Sequence, residues 1–201
     1  MNHFITAIGT DSGKTLVSAV VCEALGANYW KPVQAGLPRD ANTIKELVTK
    51  PINIFDEQFV LRTPASPHAA AIIDNVTINL DSFKLPTSSA PLVVEGAGGC
   101  LVPLNDQDFV IDLALRWNMP VILVANLYLG SINHTLLTAV LLQQKHVNVT
   151  GIIFNGEPNP ESERIILKHT RYRVLLRIGK EPIINRPRVK WYAEQFLKNY
   201  S

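Results

Sequence analysis

Cysteine is scarce in this chain. Only Cys22 and Cys100 occur among 201 residues, one in a segment of helical period and one in a glycine-rich loop, and neither has a CxxC partner or metal-ligand spacing. That excludes a disulfide scaffold and a thiolate zinc site, and both residues read as reduced thiols of a cytoplasmic protein. Charge is sparse as well: charged side chains make up 18% of the chain, and the formal net charge is +2. So small an excess gives no reason to expect nucleic acid as a partner. The lysines and arginines gather only over 164–188, as a scatter that reads as solvated surface. Long hydrophobic runs are missing too. The apolar run over 120–130 is broken by Asn126 and is too short to span a bilayer, and no charged segment followed by a long apolar core opens the chain. Neither membrane insertion nor export is expected. With no internal repeat and no low-complexity linker, residues 1–201 are expected to form one domain.

Hydrophobic residues, by contrast, make up 47% of the chain. A chain of this length buries roughly 70% of the surface its unfolded form exposes, so no covalent or metal staple is needed. Short apolar runs rich in β-branched residues alternate with segments of helical period, the pattern of βα units around a parallel sheet. Strands are expected over 3–8, 29–33, 92–95, 121–125, 150–154 and 174–178. Helices are expected over 14–25, 41–48, 67–73, 109–117, 132–144, 161–168 and 190–198. In the first helix Leu16, Val17, Val20, Val21, Ala24 and Leu25 share a face. Segments 51–65 and 74–91 are less regular and are read as loops or a small extra element. The expected fold class is α/β, a doubly wound, mainly parallel sheet with helices on both faces.

The most informative stretch joins the first strand to the first helix: Gly9-Thr10-Asp11-Ser12-Gly13-Lys14-Thr15. A strand, a glycine turn and a helix N-terminus together present backbone N–H groups and a positive dipole end to phosphate oxygens. Lys14 is placed to reach the terminal phosphates, and the Thr15 hydroxyl suits the magnesium ion that accompanies a nucleotide. The general phosphate-loop pattern has four residues between its glycines, and this loop has three.

Ligands of doubly wound sheets gather at the carboxyl ends of the strands. At those ends stand the glycine loop, the 31–36 segment beginning at Lys31, the Glu95-Gly96-Ala97-Gly98-Gly99 loop, the 126–134 segment and Asn155-Gly156. Glu95 closes a buried strand, where it either holds a metal ion or caps exposed N–H groups. Lys31 either snorkels to water or faces an anionic ligand. Asp40 stands at the mouth of the next helix as either a further oxygen ligand or an ordinary N-cap.

Taken together, G-T-D-S-G-K-T at 9–15, K-P-V-Q-A-G at 31–36, S-P-H at 66–68, V-E-G-A-G-G at 94–99, V-P-L at 102–104, P-V-I-L-V at 120–124 and L-G-S-I-N-H at 129–134 resemble the dethiobiotin synthetases. The resemblance implies a P-loop NTPase-like fold and an ATP-dependent ring closure. CO2 adds to one amine of 7,8-diaminononanoate to give a carbamate, ATP phosphorylates the carbamate, and the second amine displaces phosphate to close the urea ring. It implies Lys14 and Lys31 as catalytic residues. Magnesium would be held by Thr15, Asp40 and Glu95. The nucleotide would also be met by Asp11, Ser12, Gly13, Gly96, Ala97, Gly98, Asn155, Gly156 and Pro182, with Asn155 at the adenine edge. The organic substrate would be met by Ser12, Ala35, Gly130, Ser131, Ile132 and Asn133, the last four from a second copy of the chain in a homodimer with shared active sites.

Two departures from the family pattern stand out. The family's glycine loop usually has five residues between its glycines, so two backbone groups that could ring the phosphates are absent here. Ala35 also stands where the family commonly has a hydroxyl. Competing readings are a ParA/MinD-like partner-regulated ATPase, a small-molecule kinase and a degenerate nucleotide binder. Thr10, Asp11 and Ser12 leave no place for the extra loop lysine usual in the first of these.

Overall fold

The computed structural model describes residues 1–200. The strands are β1 (His3–Ala7), β2 (Asn28–Trp30), β3 (Val33–Ala35), β4 (Ile54–Phe55), β5 (Phe59–Leu61), β6 (Leu92–Glu95), β7 (Val121–Asn126), β8 (Val149–Asn155) and β9 (Val174–Ile178). The helices are α1 (Lys14–Leu25), α2 (Asp40–Leu47), α3 (Pro67–Ile73), α4 (Val110–Arg116), α5 (Ser131–Gln144), α6 (Pro160–Thr170) and α7 (Arg186–Tyr200). A seven-stranded sheet runs in the order β4-β2-β6-β1-β7-β8-β9, and its strand pairs are parallel. Each expected helix and strand has a counterpart, the last helix starting at Arg186 rather than 190.

One expected strand is two. The run over 29–33 breaks at Lys31-Pro32, where proline has no N–H to give to a ladder. β2 stays in the main sheet, while β3 leaves it to pair with β5 in a two-stranded sheet. The Pro32 carbonyl accepts the Gln58 and Phe59 N–H groups, both at 3.1 Å, which anchors the departing chain. Two short strands, β4 and β5, therefore lie in the segment whose sequence is irregular.

Parallel strands are buried on both faces, and their side chains alternate between two cores. One core collects Phe4, Trp30, Val94, Leu123 and Phe154 with residues of α3 to α6, including Ala70, Leu113, Leu142 and Ile166. The other collects Ile5, Tyr29, Val93, Ile122 and Ile153 with α1, α2 and α7 through Val17, Ile44 and Phe196. Among the described residues no helix is long and apolar enough to cross a membrane.

Candidate active site

Strand periodicity assembles the site. Tyr29 stands in register with Val93, and Trp30 with Val94. Residues 29, 31, 93 and 95 therefore share the sheet face on which α1 packs. Lys31 and Glu95 end their apolar runs on that face at the carboxyl edge, beside the first turn of α1. Glu95 is 1% exposed. Its Oε1 accepts from the Thr15 hydroxyl at 3.0 Å and from Lys31 Nζ at 3.1 Å, and its Oε2 accepts from the Tyr29 hydroxyl at 3.0 Å. Lys31 also donates to the Asp40 carboxylate. Asp40 is the first residue of α2, and Arg39 holds the N-cap position, so the carboxylate points at Lys31 and does not close the helix end.

The charges do not balance equally. Burial alone would raise the Glu95 carboxyl, but the Lys31 ammonium beside it, with help from the Ser18 hydroxyl and then Lys14, holds it below the usual carboxylate range. Burial would likewise push the Lys31 amine down, but Glu95 and Asp40 lift it above an ordinary lysine. Lys14 is different. Burial depresses its amine, the Glu95 carboxylate does not make up the loss, and Lys31 adds repulsion. Its ammonium donates to the Gly9 carbonyl at 3.2 Å. A buried cation in that position favours an incoming anion, and a phosphate is the anion that a glycine loop is shaped for.

The short loop is held by its own atoms. Ser12 is buried, and its hydroxyl donates to the Gly9 carbonyl at 3.0 Å. Asp11 and Gly13 take left-handed backbone angles, with φ of +55° and +91°. A Cβ at position 13 would collide with the Asn155 amide. That amide donates to the Ser12 carbonyl at 3.0 Å.

Beside this cluster opens a cavity of about 710 Å³, lined by Thr10, Asp11, Gly13, Lys14, Thr15, Lys31, Ala35, Asp40, Glu95, Ala97 and Gly98, with Gln34, 36–38, 64–67 and Val102 completing the wall. Its size falls within the range of small-molecule sites. Gly96 packs towards Val110 and Phe4, where a Cβ would meet them at 2.9 and 3.0 Å. Ser12, Asn155, Gly156, Pro182 and 130–133 do not line this cavity in the single chain. Asn155 meets the loop at the Ser12 carbonyl, and Gly130 is the N-cap of α5.

The oxygen donors suit a hard divalent cation. The Thr15 hydroxyl gives its proton to Glu95, which leaves its lone pairs free, and the Asp40 carboxylate is partly open to the cavity. Among the described residues no three His, Cys, Asp or Glu side chains cluster into a metal cage.

Sequence reading gave no site role to Tyr29, Gln34 or 64–67, although Gln34 and Ser66-Pro67 stand in motifs that carry the resemblance. Gln34 is buried, its Oε1 accepts from the Asp40 N–H at 3.1 Å, and its Nε2 donates to the Gly36 carbonyl at 3.0 Å. The available signal was spacing: Tyr29 lies two residues before Lys31, on the same strand face.

The sequence profile of a family described as an AAA domain matches residues 2–188. A protein named ATP-dependent dethiobiotin synthetase BioD from Cytophaga hutchinsonii is 54% identical over 201 residues, covering 98% of this chain and 98% of that relative. One of the same name from Christiangramia forsetii is 46% identical, covering 98% of this chain and 96% of that relative. Among solved structures, a putative plasmid partition protein from Borrelia burgdorferi bound to AMPPNP superposes with a TM-score of 0.57 at 11% identity, covering 100% of this chain and 97% of that one. At that identity the likeness is one of fold.

Proposed function

The chain belongs to the dethiobiotin synthetase family of ATP-dependent ligases, and from that premise we propose that it closes the ureido ring of dethiobiotin from 7,8-diaminononanoate, CO2 and ATP. The observation that carries the proposal is the meeting of Lys14, Lys31, Thr15, Asp40 and Glu95 on the wall of one cavity. A carbamate and a triphosphate are both anions, and two like unit charges ~4 Å apart repel by about 4 kcal/mol at an effective dielectric of 20. Two lysines beside the glycine loop offset that repulsion.

Lys14, whose buried ammonium has a carbonyl for a partner, bridges the terminal phosphates and the carbamate. Lys31 steadies the carbamate and the charge that develops on transfer. Thr15, Asp40 and Glu95 hold Mg2+, which when bound neutralises phosphate charge and orients the transferring group. The carbamate oxygen attacks the γ-phosphorus and ADP leaves. The second amine then attacks the carbonyl of the resulting carbamic-phosphoric anhydride, and inorganic phosphate leaves as the ring closes. Little covalent chemistry falls to the protein, because phosphoryl transfer is carried by positioning and charge stabilisation.

The first turn of α5 is proposed to serve the cavity of a second copy. Gly130 to Asn133 lie outside the cavity of their own chain, and Leu129, Leu137 and Val140 beside them are exposed apolar residues that a homodimer would cover. In that arrangement the helix N-terminus meets the substrate carboxylate.

Incubation of the purified protein with diaminononanoate, ATP, Mg2+ and labelled bicarbonate tests the reading. Acid-stable label in the organic product and stoichiometric ADP are expected. A phosphorylated diamine without label, or ATP turnover indifferent to the diamine, would overturn it.

A further inference from the structure

We infer that Tyr29 is a positioning residue for the cation site, its phenol fixing one oxygen of Glu95 so that the other is presented to Thr15, Lys31 and the metal. The inference rests on the proposed function only in requiring a metal-bound nucleotide at this site. Tyr29 is 0% exposed and sits in β2, next to β6 in the sheet and two residues before Lys31. Its hydroxyl reaches Glu95 Oε2 at 3.0 Å, while Thr15 and Lys31 both reach Oε1. The carboxylate is thus held by its two oxygens separately, one by the phenol on the sheet side and one by the groups at the cavity, with the buried Ser18 hydroxyl of α1 also beside it.

A carboxylate has lone pairs on both oxygens and turns readily about its last bond. Held on one side, Glu95 cannot swing to pair both oxygens with Lys31, nor withdraw from a cation that arrives with phosphate. The phenol O–H has one proton to give, and its acceptor here is Glu95 Oε2. A phenylalanine of the same shape would fill the same space between strand and helix. The hydroxyl is therefore the part of this residue that packing does not call for. Partners of metal-ligating carboxylates typically change metal affinity by ~10-fold or more when removed.

The test is Tyr29→Phe in the full-length chain, with Mn2+ binding measured from the free-ion electron paramagnetic resonance signal in the presence of ADP. About tenfold weaker Mn2+ binding is expected, with metal-free ADP binding unchanged. In the ligase assay the Mg2+ concentration for half-maximal rate rises while the rate at saturating metal holds. Restoring a donor on the same ring, Tyr29→4-aminophenylalanine, recovers the affinity. Unchanged Mn2+ affinity overturns the inference, and so does a Tyr29→Phe chain that fails to fold without metal, because the phenol would then belong to the core. Wild-type protein that binds Mn2+ with ADP but makes no labelled product would sink the ligase reading and leave this one standing.

Discussion

The carboxyl edge of the sheet has two halves that differ in kind. The half formed by β1, β2 and β6 is ionic and buried: Lys31 lies between Glu95 and Asp40, Lys14 lies beside them, and the cavity opens there. The half formed by β7, β8 and β9 carries Asn126, Asn155 and Gly156 at its strand ends and does not line that cavity. Adjacent strands lie about 4.8 Å apart. Because the order is β2-β6-β1-β7-β8-β9, β7 separates the end of β8 from β1, and it is the Asn155 side chain that reaches across to the glycine loop. Residues that look equivalent as strand-end loops are thus ranked by sheet order. The near half carries the ionic cluster, whereas the far half stays off this cavity and meets the glycine loop through Asn155.

The largest expected effect isolates the near half. Lys31→Ala and Lys14→Ala should each lower labelled-product formation by ~10²–10³-fold, the scale of losing a preorganised charge stabiliser. Circular dichroism should show both variants folded. Full turnover in either would end the comparison, since the ionic half would then be incidental.

A mixing experiment asks whether the far half acts on a partner. Lys31→Ala and Asn133→Ala chains, each weak alone, should regain part of the activity when refolded together, because one mixed cavity then holds both native residues. No recovery in demonstrably mixed dimers would place the α5 turn outside the reaction.

Asn155 is the residue of the far half that reaches the glycine loop. Gly13→Ala forces a side chain into a left-handed backbone position and into the Asn155 amide, and should cost roughly 1–3 kcal/mol in urea unfolding. Adding Asn155→Ala should recover part of that loss. Additive costs would show that the contact is not the cause.

A smaller effect is expected for Asn155→Ala alone. Losing its bond to the Ser12 carbonyl should weaken nucleotide binding by about 0.5–1.5 kcal/mol. If Asn155 acts through the loop, tripolyphosphate binding weakens as much as ATP binding. If it reads the adenine edge, tripolyphosphate is unaffected and discrimination against GTP falls.

Much of the near half was legible without coordinates. Gly9, Gly13, Lys14 and Thr15 announce themselves by local spacing, and Glu95 by an acidic end to an apolar strand. The division of 29–33 into β2 and β3 was harder to read, although Pro32 marked the break, because where the chain goes next depends on pairing with β5 some two dozen residues later. Gln34 was passed over for the same reason: its value comes from the Asp40 backbone it meets after a turn.

The order of apolar runs, glycines and charged strand ends determined by itself the α/β class, the phosphate-loop position and the family likeness, since those follow from periodicity and local backbone chemistry. Tertiary structure alone decided that Lys31 would join Glu95 and Asp40, that Tyr29 would touch the same carboxylate, and that the residues after β7 and β8 would stand apart from the cavity. These are long-range facts. They follow from which strand lies beside which, and hydrogen-bond pairing across the sheet sets that order with no local mark in the chain.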